Sequence, residues 1–198
     1  MTLILASQSQ ARQAMLHAAG VSFTCATALI DEDALKAGLR AQGTTPRNLA
    51  DALAEAKALR LSQKSPTALV LGCDQTLAVD GWDFFDKATS HGQLAEQLTF
   101  LSGKTHTLIS AAVIVLGGQP IWRFVDSVKM TMRALSPAFI DDYVTREGDH
   151  VLGCLGGYQI EANGAQLFAR IEGSHFTVMG LPLLPLLDFL RVRGELPA

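Results

Sequence analysis

TALVLGCDQTL, residues 67–77, is the stretch on which the fold turns. Ala68, Leu69, Val70 and Leu71 run without polar alternation, as in a strand covered on both faces. Gly72 and Cys73 then keep the chain slim ahead of a carboxylate, Asp74. The segment reads as a buried β-strand that delivers Asp74 to its C-terminal end. Open α/β sheets take ligands at the carboxyl ends of such strands, whereas Asp is also a common turn-former after a strand. Site acid and turn residue are both open at this point.

Toward the N-terminus, residues 2–6 form a short apolar strand, followed by Ser7, Gln8 and Ser9 and a helix over 10–19 closed by Gly20. Ala11, Ala14, Met15, Ala18 and Ala19 fall on one helical face, the expected buried one. Ser7 and Ser9 can each cap the helix. The same strand, polar turn and helix also make an anion-binding arrangement, with unpaired N–H groups in the first turn and Arg12 beside them. Residues 23–30 read as a second strand running into Asp31, Glu32 and Asp33. That acidic triplet either favours a helix N-terminus or supplies a metal-facing carboxylate. Thr45 and Pro46 start a long helix as N-cap and first residue, with Leu49, Ala52, Leu53, Ala56 and Leu59 as its expected buried face. Lys57 lies at the flank of that face. Its neighbours at three and four residues are Leu53, Ala54, Arg60 and Leu61, so no acid of its own helix pairs with it, and it either snorkels to water or reaches a ligand.

Toward the C-terminus, residues 76–79 and 82–85 flank Asp80-Gly81, a two-residue hairpin signal, and the second arm ends in Asp86 and Lys87. A helix over 90–101 turns Leu94, Leu98 and Leu101 inward and stops at Gly103. Residues 106–116 are an apolar strand, Gly117-Gly118 turns the chain, and 121–133 alternate: Trp122, Phe124, Val128, Met130 and Met132 share one face, Arg123, Ser127, Lys129, Thr131 and Arg133 the other. An antiparallel hairpin with one polar face makes the sheet mixed rather than all parallel. Asp126 interrupts the apolar face, as an edge position would allow. Ser136-Pro137 caps a helix running to Gly148. GCLGGY, residues 153–158, is glycine-rich enough for close backbone approach to a ligand. Residues 166–171 are strand-like, 173–180 a loop and short strand, and Pro182 opens a last helix ending at Gly194. The expected fold is a single α/β domain over 1–198, a mixed, largely central β-sheet flanked by helices, with two lobes around a cleft.

The 198 residues are 48% hydrophobic and 18% charged, with a formal net charge of -3. A packed globule follows, without a dedicated nucleic-acid surface. Cys25, Cys73 and Cys154 are odd in number and widely spaced, which fits neither a disulfide framework nor a metal-binding pair and points to a reducing compartment. No signal peptide is visible, and the apolar run over 178–190 is too short for a membrane span and broken by Pro182 and Pro185. A soluble, cytoplasmic protein is expected.

The polar turns together offer Ser7, Arg12, Lys57 and Lys87 as anion ligands and Glu32 and Asp74 as acids. Cations that neutralise phosphate oxygens, with carboxylates that hold a metal or take a proton from water, suit a polyphosphate with Mg²⁺ or Mn²⁺. His106 and His175 are single imidazoles without ligand spacing and read as structural. Cys73 reads as strand packing, because burial in an apolar run raises a thiol pKa.

In order along the chain, these residues resemble the Maf-like nucleoside triphosphate pyrophosphatases. LILASQSQARQAML is similar to that family's opening signature, a strand into Ala-Ser-x-Ser-Pro-Arg-Arg and a Leu-rich helix. IDE at 30–32, LAEAKA at 53–58, GCDQT at 72–76, Lys87, LSGKTHT at 101–107, GGYQIE at 156–161 and VMGLPL at 178–183 resemble its later motifs. The resemblance implies a Maf/ITPase-like fold and metal-dependent hydrolysis of a nucleoside triphosphate between the α and β phosphates, of the house-cleaning kind that removes modified or non-standard nucleotides. By position it makes Ser7, Arg12, Lys57 and Lys87 the triphosphate grip, Asp74 the proton acceptor and Glu32, with Asp74, the metal-facing acid. Glu161 stands where relatives often have Gln, near base or phosphate. A homodimer is implied as well, though the sequence shows no interface.

Gln10 and Ala11 stand where the signature has Pro and its first Arg, and Ala88 where a Pro usually follows the lysine. A lost charged hydrogen bond to phosphate is worth about 1.5–3 kcal/mol. Asp74-Gln75 resembles the branch acting on 7-methylated guanosine triphosphate, whereas GGYQIE is closer to the branch for thymidine and uridine triphosphates. The alternative to an active enzyme is a catalytically weak or inactive nucleotide-binding regulator, in line with the family's association with control of septum formation.

Overall fold

The computed structural model describes residues 2–80 and 83–197. Its centre is a seven-stranded mixed sheet in the order β2-β1-β3-β5-β6-β7, with β4 added to β3. Here β1 is Leu3–Ala6, β2 Thr24–Cys25, β3 Leu69–Val79, β4 Asp83–Phe84, β5 Thr105–Leu116, β6 Gln119–Met132 and β7 Phe168–Glu172. Only β1 pairs in parallel, with β2 and β3. The other pairings are antiparallel, as the polar-faced hairpin implies. The arms of the first hairpin do pair, but Ala78 with Phe84 and Val79 with Asp83, a register one residue longer than the two-residue signal Asp80-Gly81 implies; Gly81 and Trp82 lie outside the described residues.

Among the described residues seven α-helices surround the sheet: α1 (Gln10–Ala18), α2 (Glu32–Ala41), α3 (Pro46–Ser62), α4 (His91–Leu101), α5 (Pro137–Val151), α6 (His175–Val178) and α7 (Leu183–Val192). Alternate residues of β3 face opposite layers. Leu69, Leu71 and Cys73 pack with Met15 and Leu16 of α1 and Leu186, Leu187 and Leu190 of α7. Val70 joins Ala50, Ala54 and Ala58 of α3 on the other side. Farther along, Leu77 and Val79 enter a separate core with Leu94 and Leu98 of α4, Val128 and Met130 of β6 and Tyr143 of α5. The long strands thus cross from one lobe into another, and the cleft opens where the lobes meet. No helix among the described residues is long and apolar enough to cross a membrane.

Several local expectations are corrected. β2 is two residues rather than the run over 23–30, because β1 is only four residues long: after the Ala26 N–H bonds Leu5 O the partner edge has ended. α1 buries Met15 and Leu16 while Ala14 and Ala18 stay exposed, since the long side chains hide the most apolar area. α3 is rotated from the expected stripe, burying Leu49, Ala50, Leu53, Ala54, Ala58 and Leu61. Residues 173–180 hold the short helix α6 in place of a strand. α5 runs through Gly148, where a Cβ would lie 2.7 Å from the His91 ring, so this glycine serves helix packing rather than termination. Gly156 and Gly157, at φ +77° and +73°, are buried, and a Cβ on Gly157 would lie 2.1 Å from Leu94 Cδ1. The close approach of these two glycines is to the core, whereas Gly153, Cys154, Leu155 and Tyr158 of the same stretch line the cleft.

Candidate active site

β1 stays in register with β3 only as far as Ala6 opposite Gly72. Beyond that pair the chain leaves the sheet through Ser7, Gln8 and Ser9 into α1, while β3 continues alone on that side. Asp74 therefore lies mid-strand rather than at the strand's end, yet it stands just past the carboxyl end of the parallel pair. β5 holds it from behind, with Ala111 as its register partner. A carboxylate on an uninterrupted central strand is rigidly mounted.

Ser9 is the N-cap of α1, accepting from the Arg12 N–H at 3.4 Å. Ser7 does something else: its Oγ accepts from the Ser9 N–H at 3.3 Å and from Arg12 Nη1 at 3.1 Å, leaving its own hydroxyl proton to donate. Arg12 Nε donates to Gly180 O at 2.8 Å and Nη1 to Cys73 O at 3.3 Å. The guanidinium is thus oriented by backbone carbonyls from two other elements. Among the described residues its Nη2 has no protein partner.

Lys57 meets the acids that its own helix cannot supply. Its Nζ donates to Asp74 Oδ1 at 2.6 Å and lies 3.2 Å from Glu32 Oε2. The Lys57 and Asp74 side chains are each 12% exposed and that of Glu32 40%. The acidic triplet splits its two readings: Asp31 caps α2, accepting from the Ala34 N–H at 2.9 Å, while Glu32 faces the cleft. Asp74 Oδ2 has no protein partner among the described residues. No group of three or more His, Cys, Asp or Glu there could hold a metal ion by itself. The two hard carboxylates fit a divalent cation of the Mg²⁺ type, which takes one or two carboxylates and completes its shell with substrate phosphates and water.

Ser7, Arg12, Glu32, Lys57, Asp74, Lys87 and Glu161, all the residues singled out from sequence, border one cleft of about 800 Å³. Lys87 and Glu161 are exposed on its rim. They flank Cys154, whose thiol burial pushes up, with Lys87 opposing that shift and Glu161 adding to it. Cys73 is pushed up to about 11 by burial, only partly offset by Arg12 and Lys57, so it is a packed thiol and no nucleophile. Ala88 is buried at 3% exposure, a core contact beside Lys87. The cleft also takes in Lys36 and Arg40, which the sequence reading passed over, and Asp86 and Gln75, which it named without giving them a place in the site. The signal for the first two was present: Glu32, Lys36 and Arg40 are spaced four residues apart on one helix face. Gln75 Nε2 donates to Ser110 Oγ at 3.0 Å and to the Thr177 and Val178 carbonyls at 3.1 and 3.0 Å, tying α6 to the sheet. Asp126, on a stretch of β6 without a β7 partner, accepts from Thr177 Oγ1 at 2.6 Å and anchors the same helix.

His106 is 1% exposed, with Nε2 2.7 Å from the Tyr158 hydroxyl and no partner for Nδ1 among the described residues. Burial lowers its pKa from 6.5 to about 4, so it folds neutral. As pH falls below 6.5 the unfolded chain takes up a proton that the folded chain refuses. Stability that is full above 6.5 is then lost, by about 3 kcal/mol at pH 4. Urea melts from pH 7 to 4 should show this slope, and His106→Gln, which keeps a polar group toward Tyr158, should remove it.

The model of the family described as Maf-like protein matches residues 2–193. A protein of Sphingopyxis alaskensis named nucleoside triphosphate pyrophosphatase is 48% identical over 100% of both chains. One of Caulobacter vibrioides with the same name is 50% identical, over 97% of this chain and 96% of that one. A Brucella abortus protein named 7-methyl-GTP pyrophosphatase is 49% identical, over 96% and 94%. With the family model covering nearly all of it and relatives about half identical end to end, the chain belongs to the Maf-like family.

Proposed function

We propose that the cleft hydrolyses nucleoside triphosphates at the α–β phosphoanhydride, releasing monophosphate and pyrophosphate, and that modified or non-standard nucleotides are its substrates. One observation carries the reading: a nearly buried carboxylate, Asp74, has one oxygen fixed by Lys57 at 2.6 Å and the other turned to a cleft walled by cations. The names of the relatives support the same reaction.

In this mechanism Asp74 Oδ2 accepts a proton from water as the water oxygen bonds to the anhydride phosphorus. The bridging P–O bond breaks and its electron pair leaves on pyrophosphate. Arg12, held by Gly180 and Cys73, aims its remaining N–H groups at non-bridging oxygens, and Ser7 adds its hydroxyl. Lys57 and Lys87 offset the charge that develops on the leaving group. Positioning and fixed charge do most of the work, as expected where little covalent chemistry falls to the protein. Glu32 and Asp74 are the residues that would hold Mg²⁺ or Mn²⁺ together with the phosphates. When bound, the cation supplies further neutralisation of the anhydride oxygens. We take the chain to act in the cytoplasm as a homodimer, as the family resemblance implies, and on small nucleotides rather than on nucleic acids or membranes; its net charge of -3 supports the exclusion of nucleic acid.

A pyrophosphate-release screen over ordinary and methylated nucleotides tests the proposal. Release is expected with Mg²⁺ or Mn²⁺ and should fall at least about 100-fold with excess chelator, returning when metal is restored. The second reading, a nucleotide-binding regulator without turnover, is motivated by Ala11 at a position where the signature carries arginine. Tight nucleotide binding with no release from any nucleotide would establish it and sink the enzyme.

A further inference from the structure

α2 buries none of its residues, yet it forms a wall of the cleft. Its inward face carries Glu32, Lys36 and Arg40. Glu32 is engaged by Lys57. The other two turn to Asp86, which lies between β4 and α4. Arg40 Nη1 and Nη2 donate to Asp86 Oδ2 and Oδ1 at 3.1 Å each, and Lys36 Nζ is 3.7 Å from Oδ1. A guanidinium fork on two oxygens of one anion is the geometry with which arginine also grips a phosphate. The hydrogen bond from Arg40 is the largest influence holding the Asp86 carboxyl below its ordinary range. The anion is nevertheless the more exposed partner, its side chain 57% exposed against 31% for Arg40 and 27% for Lys36. Water screens a pair whose anion is this open, and a ligand carrying several negative charges outcompetes a single carboxylate for the same fork.

We propose that Lys36 and Arg40 form a second phosphate grip, occupied by Asp86 until substrate arrives and then by the two terminal phosphates, the pair that leaves as pyrophosphate. This rests on the pyrophosphatase reading of the same cleft. The placement along α2 gives the assignment. Glu32 marks the Asp74–Lys57 pair where the bond is cut, and at a rise of 1.5 Å per residue Lys36 and Arg40 lie about 6 and 12 Å farther along the axis. The cationic end of the helix therefore follows the direction of a leaving group rather than that of an apolar base. It also answers Ala11: the second guanidinium missing from α1 is supplied by α2, which lines the same cleft.

Kinetics of pyrophosphate release, with inhibition by inorganic pyrophosphate and by nucleoside monophosphate, tests the grip. Arg40→Ala and Lys36→Ala should each raise the triphosphate KM and the pyrophosphate Ki by about tenfold, with the monophosphate Ki within about twofold of the parent. Arg40→Lys, which keeps the charge but not the fork, should fall between. Asp86→Asn should lower KM and pyrophosphate Ki by about threefold, and that gain should vanish in the Arg40→Ala background. A structural role for Asp86 would raise KM instead. An unchanged pyrophosphate Ki in Arg40→Ala and Lys36→Ala overturns the proposal, as does an equal shift in the monophosphate Ki. Should the parent release pyrophosphate from no nucleotide, the reaction itself is refuted, and calorimetric titration of the parent and Arg40→Ala with pyrophosphate still decides the grip.

Discussion

Asp74→Asn should lower kcat for pyrophosphate release by about 1,000-fold, within the range a positioned general base contributes. The substitution is nearly isosteric on a strand whose backbone is paired with β5 at this position and with β1 up to Gly72, two residues before it. The mount therefore survives and only the proton-accepting oxygen is lost. Lys57 keeps Glu32 as a partner at 3.2 Å, and Ser7 and Arg12 keep their own contacts. KM should accordingly stay within about threefold, the pattern of an interaction made in the transition state alone. Stability should change by about 1 kcal/mol, the worth of one hydrogen bond in a pair still reachable by water. Single-turnover kinetics alongside a thermal melt separates these quantities. Turnover within about fivefold of the parent, in a protein that melts normally, would remove Asp74 from the role of proton acceptor.

The elements that could be read from sequence are those whose signals are local. Thr45 and Ser136 each accept from an N–H three residues on, as caps followed by apolar periodicity predict. The apolar run of β5, the Gly-Gly turn and the period-two pattern of β6 needed no tertiary information. Lys57 was legible as a cation without a partner in its own helix, but its partners were not, because they arrive from β3 and α2. The extent of β2 depended on the length of another strand. GCLGGY reads as close approach to a ligand, yet Gly157 admits Leu94, because a glycine that admits a core side chain and one that admits a ligand are written alike. The stripe of α3 was misplaced for a related reason. The helix carries leucines and alanines on several faces, and which face goes down was decided by how closely it can sit on β3.

That closeness is set by Gly72, and Gly72→Ala should be the most damaging single methyl in the chain. Gly72 faces α3 along with Val70, Asp74 and Thr76, the last donating to Pro46 O at 2.9 Å. A Cβ at position 72 would lie 2.0 Å from Ala54 O and 2.9 Å from Ala58 N. Both atoms are backbone inside a helix whose Ala50, Ala54 and Ala58 are completely buried, so no rotamer change can relieve the clash. Either α3 lifts from the sheet or β3 bends. The expected cost is about 3 kcal/mol, at the upper end for overpacking because nothing flexible yields. In a domain of this size that is a fall in Tm of about 10 °C. Gly92→Ala in the first turn of α4, where only Ser90 Oγ comes within 4 Å, should be neutral or stabilising by up to about 1 kcal/mol, and controls for the alanine itself. The consequence reaches the chemistry because α3 carries Lys57 and β3 carries Asp74, now 2.6 Å apart. Lifting the helix by even an ångström breaks that contact. At a temperature where Gly72→Ala is still folded, its kcat should therefore drop at least about tenfold, as misplacement of a catalytic group does. Folded Gly72→Ala with full activity would mean that Lys57 does not need α3 seated on the sheet to hold Asp74.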